Sequence, residues 1–487
     1  MKKLLLASLA ILCLFACTKK SAKEAFVDNL MEKMTLQEKI GQTVLFSSDW
    51  DITGPVIKGN YEEDVRSGRC GAVFNAYTVK YVEKVQRLAV EESRLGIPLI
   101  FGYDVIHGHK TIFPIPLGES SSWDLKAMEE SSRIAAIEAS AEGLNWTFAP
   151  MVDITRDPRW GRVCEGAGED KYLGIQAAKA RVKGFQGSNL SDNNTILACA
   201  KHFAAYGAAQ AGRDYNTVDI SKRELRETYL PPFKACVDVG CATFMTSFNE
   251  LDGIPSSGNK FLLKDILRDE WGFKGFVVTD FTSINEMVKH GICKDEYDAG
   301  KLSIQSGVDM DMQGSIYYKY LEEMVKKNEV SEETVNTACR NILNLKYDLG
   351  LFADPYKYCN LQREKDLVMC KEHQDKAREI GAKSIVLLKN DKKVLPLNAG
   401  KKIAVIGELA NRKDDMIGSW SAAGDGQKSI TLLEGLKAQY SNNKITYTEG
   451  CKVKGTDKSG FAKAISAAKK ADIILYAMGE YRGMSGE

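Results

Sequence analysis

The chain has 487 residues, of which 44% are hydrophobic and 27% are charged, and its formal net charge is +1. This length predicts two or three domains, and the composition is ordinary for a soluble globular protein. A net charge so close to zero, without a basic patch, argues against a function in nucleic-acid binding, and we predict no nucleic-acid partner.

The N-terminus has the features of an export signal. Two lysines precede an apolar run from Leu4 to Phe15, which is too short to span a bilayer. The run ends at Ala16-Cys17, an arrangement that resembles a bacterial lipoprotein signal.

We therefore predict that residues 1–16 are removed and that Cys17 becomes a lipidated N-terminus. An ordinary secretory signal, in which Cys17 is incidental, is the alternative. Both interpretations predict export. The lipidated form is expected in the periplasm or at the outer membrane, with the lipid anchor as its only contact with a membrane.

Residues 17–45 are predicted to form a tether and a peripheral helix. Thr35 and Glu38 have the spacing of a capping box, in which each side chain hydrogen-bonds the backbone of the other. Further along, Asp124 is placed to cap a helix from Leu125 to Gly143.

Apolar runs within residues 46–351 repeatedly end in a charged or amide side chain. The ends lie about 30–50 residues apart, which leaves room for a crossover helix between parallel strands. Barrels of this kind carry their active sites at the C-terminal ends of the strands. The pattern predicts an α/β fold whose N-terminal domain is a TIM-like (β/α)8 barrel over residues 46–351. The residues at these ends are Asp104, Asp153, Lys201, His202, Asn249, Asp280, Asp309 and Asp311.

A second unit is predicted after a linker and helix over residues 352–380. Three apolar runs rich in β-branched residues indicate strands of an open parallel sheet in residues 381–487. The sequence stops soon after the third run, before the next crossover helix that such a sheet needs. We therefore expect an incomplete α/β sandwich domain and a chain that is part of a longer protein. The three runs are Ile385 to Leu388, Ile403 to Ile406 and Ile473 to Ala477.

Several chemistries lack their usual residues in this sequence. It contains no phosphate-binding loop motif, no H-E-x-x-H and no G-x-S-x-G. Its 12 cysteines include no C-x-x-C pair. His107-Gly108-His109 is interpreted as loop structure, because no nearby Cys, His or carboxylate set completes a metal site. We predict no metal and no cofactor.

Carboxylates, cations and amides at strand ends suit a neutral, polyhydroxylated substrate, and a sugar needs such donors and acceptors together with apolar faces. A site of this kind supports glycoside cleavage, in which one carboxylate attacks the anomeric carbon and another protonates the leaving oxygen. The residues alone therefore predict a sugar as the partner.

Six sequence motifs carry a resemblance to a known family. The most specific is Arg156-Asp157-Pro158-Arg159-Trp160-Gly161-Arg162. The other motifs are Gly102 to Gly108, Lys201-His202-Phe203, Phe244 to Asn249, Gly275 to Phe281, and Gly479 to Glu487. With these motifs in the family's order, the chain resembles glycoside hydrolase family 3, the β-glucosidase group, over residues 25–487.

The resemblance implies a role for each matching residue. Asp280 would be the nucleophile and Glu487, in the second unit, the general acid/base. The residues that would contact the sugar are Asp104, Arg162, Lys201, His202 and Met245. Phe248 and Phe281 stand where relatives often carry Tyr and Trp, so the sugar contacts at those two points stay open.

Structural roles remain alternatives for several of these residues. Asp280 has the position of a helix cap. Arg162 has Glu165 and Glu169 nearby in sequence as possible partners for an ion pair, and Met245 has the surroundings of an ordinary core residue.

The resemblance implies the activity of a retaining, exo-acting β-glucosidase, which removes terminal non-reducing β-D-glucosyl residues, and its predicted partner is an oligosaccharide or a β-glucoside. A β-xylosidase of the same family is one alternative. A β-N-acetylglucosaminidase is disfavoured, because the second His of that subgroup's K-H-F-P-G-H-G motif is absent after Lys201-His202-Phe203. A sugar-binding lipoprotein, or an inactive fragment, is the alternative from a different class.

Overall fold

The computed structural model describes residues 20–48, 61–398, 400–440 and 444–484. Two residues to which the sequence analysis gives a function, Cys17 and Glu487, lie outside these ranges. Within the described ranges, no helix has both the length and the apolar character needed to cross a membrane.

The N-terminal part is built on short strands separated by helices. Among the residues that the structure describes in this part, eight strands are parallel, and the short hairpin β7–β8 is antiparallel. In chain order the strands are β1 Val44–Ser47, β2 Ala72–Phe74, β3 Ile100–Tyr103, β4 Trp146–Thr147, β5 Cys199–Phe203, β6 Thr243–Thr246, β7 Glu250–Leu251, β8 Ile254–Pro255, β9 Phe276–Val278 and β10 Asp311–Met312.

The parallel strands form one curled sheet. Strands pair in the order β10-β1-β2-β3-β4 and, separately, β5-β6-β9. Single parallel bridges link the two groups, from Trp146 to Leu197, from Met151 to Lys201 and from Val278 to Met310. The predicted α/β class with a parallel sheet is therefore confirmed.

Helices connect the strands, and two of the predicted helix starts are confirmed. Thr35 and Glu38 form the capping box, and the Asp124 side chain accepts a hydrogen bond from the backbone of Ala127. The helices are Ala22–Lys33, Leu36–Gln42, Tyr61–Arg66, Val79–Glu91, Pro116–Ser120, Leu125–Ala141, Lys171–Gln186, Lys222–Glu224, Pro231–Asp238, Ser283–Lys289, Glu296–Ser306, Ile316–Lys326 and Glu332–Asp348, with π-helical segments at Leu225–Tyr229 and Phe261–Glu270.

Both faces of the curled sheet are buried. Adjacent residues of one strand belong to different apolar clusters, as Ile100 and Phe101 do in β3 and Val277 and Val278 do in β9. Because helices cover the outer face and side chains fill the inner face, these strands read as continuous apolar runs. Polar side chains follow these apolar runs at the strand ends, and the candidate site lies there.

A second, smaller sheet follows the helices Leu361–Leu367 and Lys371–Lys383. Its three parallel strands are β11 Ile403–Ile406, β12 Ile445–Thr448 and β13 Ile473–Tyr476, in the order β12-β11-β13. Helices Leu432–Gln439 and Phe461–Lys469 connect them. The predicted open parallel sheet is confirmed for two of its three proposed strands.

The predicted strand from Ile385 to Leu388 is wrong. These residues form no strand, and Ile385 and Leu388 are 79% and 90% exposed. An apolar run becomes a strand only where a neighbouring strand accepts and donates its backbone hydrogen bonds. Within the described parts of the chain, no segment pairs with this run. The central strand β11 pairs instead with β12, whose Ile-Thr-Tyr-Thr sequence is typical of a strand.

Candidate active site

The site is centred on Asp280, two residues after β9 ends at Val278. The Asp280 side chain is 11% exposed, and its Oδ1 accepts a hydrogen bond of 2.7 Å from the backbone N–H of Phe281. Because Asp280 follows a buried strand, its carboxylate lies at the C-terminal edge of the sheet.

Asp280 lines a cavity of about 270 Å³ at this edge. Five residues with predicted functions share the lining: Asp104, Arg162, Lys201, Met245 and Asp280. The remaining lining is largely aromatic or apolar, and it consists of Phe74, Phe148, Tyr215, Phe248, Phe281, Thr282, Glu286, Met312 and Trp420. Charged groups therefore converge on a cavity whose other walls are mostly aromatic rings and methionine side chains.

Asp104 and Lys201 form an ion pair at the cavity. Asp104 follows β3 and Lys201 lies in β5, and the Lys201 Nζ atom is 3.1 Å from the Asp104 Oδ1 atom. Burial opposes the charge of Lys201, but the carboxylates of Asp104 and Glu165 outweigh it and raise the pKa of the ammonium group. Lys201 is therefore a fixed positive charge and donor.

Arg162 lies in the short helical turn Gly161–Glu165 and is almost fully buried. Its Nε donates to Glu165 Oε1 at 2.7 Å, and its Nη2 donates to Glu165 Oε2 at 3.1 Å. The ion pair considered from the sequence is therefore present, and Arg162 also lines the cavity. The rings of Tyr206 and Trp420 lie 5.5 and 6.0 Å from its Cζ atom.

His202 is fully buried behind the cavity, between Arg162 and Asp153. Its Nε2 is 2.7 Å from Arg162 Nη2, and its Nδ1 is 3.0 Å from Asp153 Oδ2. Burial and the charges of Arg162 and Lys201 lower the pKa of His202 well below its usual value, so the ring is neutral. Its Nε2 is 3.5 Å from Asp280 Oδ2.

Two residues at the site, Asp153 and Trp420, were given no function by the sequence. Asp153 follows a predicted strand, but its side chain has no exposure and contacts His202 rather than the cavity; burial raises its pKa to about 7. Trp420 comes from the second unit, where no strand end or motif in the sequence marks it. The strand-end pattern singled out Asp153 without indicating its partner.

The loop that carries His107 holds the second unit at the site through a contact with Ser419. His107 Nδ1 is 2.9 Å from the Phe113 carbonyl oxygen, and its Nε2 is 2.7 Å from the carbonyl oxygen of Ser419, the neighbour of Trp420. The Ser419 hydroxyl donates to the Arg482 carbonyl at 2.7 Å. The chain just before Glu487 is thereby tied to the segment that carries Trp420.

Among the described residues, no group of three or more His, Cys, Asp or Glu side chains is arranged to hold a metal ion. The cavity instead offers a carboxylate acceptor in Asp104, cationic donors in Arg162 and Lys201, and a second carboxylate in Asp280. These groups are matched to the hydroxyls of a neutral ligand, and the rings around them to its apolar faces.

Two family models match the chain. Residues 35–345 match the glycosyl hydrolase family 3 N terminal domain, and residues 385–487 match the glycosyl hydrolase family 3 C-terminal domain.

Relatives and solved structures agree with this assignment. A periplasmic beta-glucosidase from Salmonella typhimurium is 42% identical over 96% of this chain and 64% of that protein. A beta-xylosidase from Formosa agariphila is 32% identical over 88% of this chain and 63% of that protein. The crystal structure of beta-glucosidase from Listeria innocua in complex with isofagomine has a TM-score of 0.90 and 36% identity, covering 96% of this chain and 65% of that one.

The chain thus spans just under two thirds of the length of these relatives. The family models together cover most of its residues, and the identities hold over nearly all of its length. This chain belongs to glycosyl hydrolase family 3.

Proposed function

We propose that the protein is a retaining, exo-acting β-glucosidase that releases terminal β-D-glucosyl residues. One observation carries the proposal: Asp280 opens into the same small cavity as Asp104, Arg162 and Lys201. The cavity of about 270 Å³ is smaller than the ~300–1,000 Å³ of pockets for drug-sized ligands. A cavity of this size favours one terminal sugar over an internal segment of a polysaccharide.

The barrel is part of the proposal. We take the curled sheet to close as a (β/α)8 barrel, and two observations support closure. Strand β1 pairs with β10 on one side, and Val278, at the end of β9, bridges to Met310 beside β10. In this fold the C-terminal strand ends carry the chemistry, and Asp280, Asp104 and Lys201 lie there.

In the proposed mechanism, Asp280 attacks the anomeric carbon and forms a glycosyl ester while the aglycone oxygen leaves with a proton from Glu487. Water then adds to the anomeric carbon as Glu487 takes its proton, which breaks the ester and restores Asp280. In a retaining enzyme the two carboxyl groups are ~5–5.5 Å apart.

The sugar is held by charged and apolar groups together. Asp104 accepts hydrogen bonds from hydroxyls, and Lys201 and Arg162 donate to them, the fork of Arg162 suiting two adjacent oxygens. Met245 packs against the apolar side of the ring. His202 is not part of the cavity lining, so its effect on the sugar is indirect and passes through its contact with Arg162.

Glu487 lies outside the described residues, and its role rests on the chain that leads to it. The backbone N–H of Arg482 donates to Asp415 Oδ1 at 3.0 Å, and Ser419 donates to the Arg482 carbonyl. Ser419 precedes Trp420, which lines the cavity. Glu487 is five positions after Arg482, a length of chain that reaches up to ~17 Å when extended.

Export to the periplasm is part of the same proposal. The Salmonella relative is named as periplasmic, and the N-terminal lysines, apolar run and Cys17 have the order of a lipoprotein signal. We propose that Cys17 carries the lipid anchor.

A β-xylosidase is the second candidate, because the relatives include beta-xylosidases that are 31–32% identical to this chain. A xyloside lacks the hydroxymethyl group of a glucoside. The two activities therefore differ in whether the cavity accommodates that group.

Hydrolysis of nitrophenyl β-D-glucoside and nitrophenyl β-D-xyloside, measured side by side, tests the proposal. We expect the larger kcat/KM for the glucoside, and a fall in kcat of at least about 10³-fold in Asp280→Asn, because the variant lacks the nucleophile. Asp252→Asn is the matched control, since Asp252 is exposed in a hairpin turn. A xyloside preference would transfer the assignment to the second candidate, and full activity in Asp280→Asn would refute the mechanism.

A further inference from the structure

Asp153 is a completely buried carboxylate for which the proposed mechanism has no use. Its Oδ2 accepts two hydrogen bonds from one residue, from the backbone N–H of His202 at 2.9 Å and from its ring Nδ1 at 3.0 Å. Neither Asp153 nor the His202 ring has any exposed side-chain surface. Such a doubly bonded, water-excluded contact fixes the plane of the imidazole ring.

The other ring nitrogen of His202 faces Arg162. Arg162 Nη2 is 2.7 Å from Nε2, and a guanidinium group has only N–H donors. Nε2 must therefore accept, and a neutral imidazole that accepts at Nε2 carries its proton on Nδ1. That proton points at Asp153 Oδ2. The hydrogen-bond network thus selects one tautomer of His202.

Arg162 is held on two sides by this arrangement. Glu165 binds its Nε and Nη2, and His202 binds Nη2 from the side away from solvent. Arg162 lines the cavity, whereas His202 and Asp153 do not. A change at Asp153 therefore reaches the cavity through the imidazole, which contacts the Arg162 guanidinium and lies 3.5 Å from Asp280 Oδ2.

We propose that Asp153 is a positioning residue, which holds His202 as the Nδ1–H tautomer so that Nε2 accepts from Arg162 and fixes the guanidinium in the cavity. The kinetic consequence rests on the proposed function, because it requires Arg162 to bind the sugar. The tautomer itself does not depend on any activity.

Two substitutions separate the acceptor role of Asp153 from its charge. Asp153→Asn retains an acceptor, since the amide oxygen is able to take the place of Oδ2 and receive both N–H groups. Asp153→Leu has a similar size and shape but no acceptor, so Nδ1–H loses its partner and Arg162 loses its fixed neighbour. A purely space-filling role for Asp153 predicts no such difference, with Leu tolerated as well as Asn.

The tautomer is read by long-range ¹H–¹⁵N NMR on the full chain with ¹⁵N-labelled histidine rings. The chain has five histidines, and the His202→Gln variant identifies the signal of His202. We expect the proton on Nδ1 in the wild type and in Asp153→Asn. A wild-type proton on Nε2, or an inverted tautomer in Asp153→Asn, overturns the proposal even if Asp153→Leu fails to fold.

Kinetics provide the second readout. With nitrophenyl β-D-glucoside, we expect Asp153→Leu to raise KM about tenfold or more, the effect of losing a hydrogen bond to a charged group. Asp153→Asn should stay within about threefold of the wild type. A folded Asp153→Leu variant with wild-type KM and an unchanged His202 tautomer overturns the proposal. Absence of hydrolysis by the wild type counts against the proposed function, while the NMR result still decides the role of Asp153.

Discussion

Lys346 is a buried cation whose hydrogen-bond partners are uncharged. It lies in the helix Glu332–Asp348, and its Nζ donates to Gln42 Oε1 at 2.6 Å and to the Gly71 carbonyl at 2.9 Å. Burial lowers its pKa to about 7. Between about pH 7 and the unfolded value near 10.4, the unfolded chain binds more protons here than the folded one.

The free energy of unfolding should therefore rise with pH through this window. From pH 7 to pH 9 the contribution of Lys346 amounts to about 2 kcal/mol. The Lys346→Met variant lacks the titrating group, so the stability difference, wild type minus variant, should grow by that amount. Denaturant unfolding at the two pH values measures it. An equal pH dependence in both proteins would mean that Lys346 keeps an ordinary pKa.

At the scale of single residues, sequence reasoning found groups by type and position but not by contact. Asp104, Lys201 and Asp280 all stand at or near the ends of apolar runs, and the structure gathers them at one cavity. The hydrogen bonds from His202 to Asp153 depend on how the segments that carry these two residues lie side by side. Local sequence patterns do not predict that arrangement. Trp420 reaches the cavity only through the packing of a second unit.

Among the structural elements, the loop after β3 connects the two units. His107, in this loop, contacts two carbonyl oxygens, one from Phe113 and one from Ser419. The segment around Ser419 also carries Trp420, so this histidine fixes one wall of the cavity.

Burial lowers the pKa of His107, and a neutral imidazole donates to only one of the two carbonyl oxygens. Replacing His107 by Ala should lower stability by about 1–3 kcal/mol, because it leaves that carbonyl oxygen without its donor. The KM for a β-glucoside should rise as well, because Trp420 loses its anchor. His290→Ala is the control, since His290 is only half-buried on the helical turn after Ser283–Lys289. Thermal unfolding and steady-state kinetics measure both effects. Equal losses in the two variants would argue against the anchor.

Element by element, continuous apolar runs predicted the buried parallel strands well, because a strand covered on both faces has no polar alternation to blur the signal. The same signal was wrong for Ile385 to Leu388, which have the composition of a strand but no pairing partner among the described residues. Amino-acid composition indicates that a segment is able to form a strand. Whether it does so depends on a neighbouring strand with which its backbone can hydrogen-bond.

At the scale of the whole molecule, two parallel α/β units share one site. The curled sheet contributes Asp280, Asp104 and Lys201, and the second unit contributes Trp420. The sequence predicted parallel sheets in both units, because strands and helices that alternate along consecutive residues are typical of such sheets. It did not predict the contact between the units, because that contact joins His107 to Ser419 across 312 positions.

The central claim of this account is that Asp280 forms the covalent bond to the sugar. A 2-deoxy-2-fluoro-β-glucoside inactivator with a good leaving group forms that ester and slows its hydrolysis, so peptide mapping by mass spectrometry locates the labelled residue. We predict a single label on Asp280, and none on Asp280→Asn. A label on any other carboxylate, or undiminished labelling of the Asp280→Asn variant, would contradict the account.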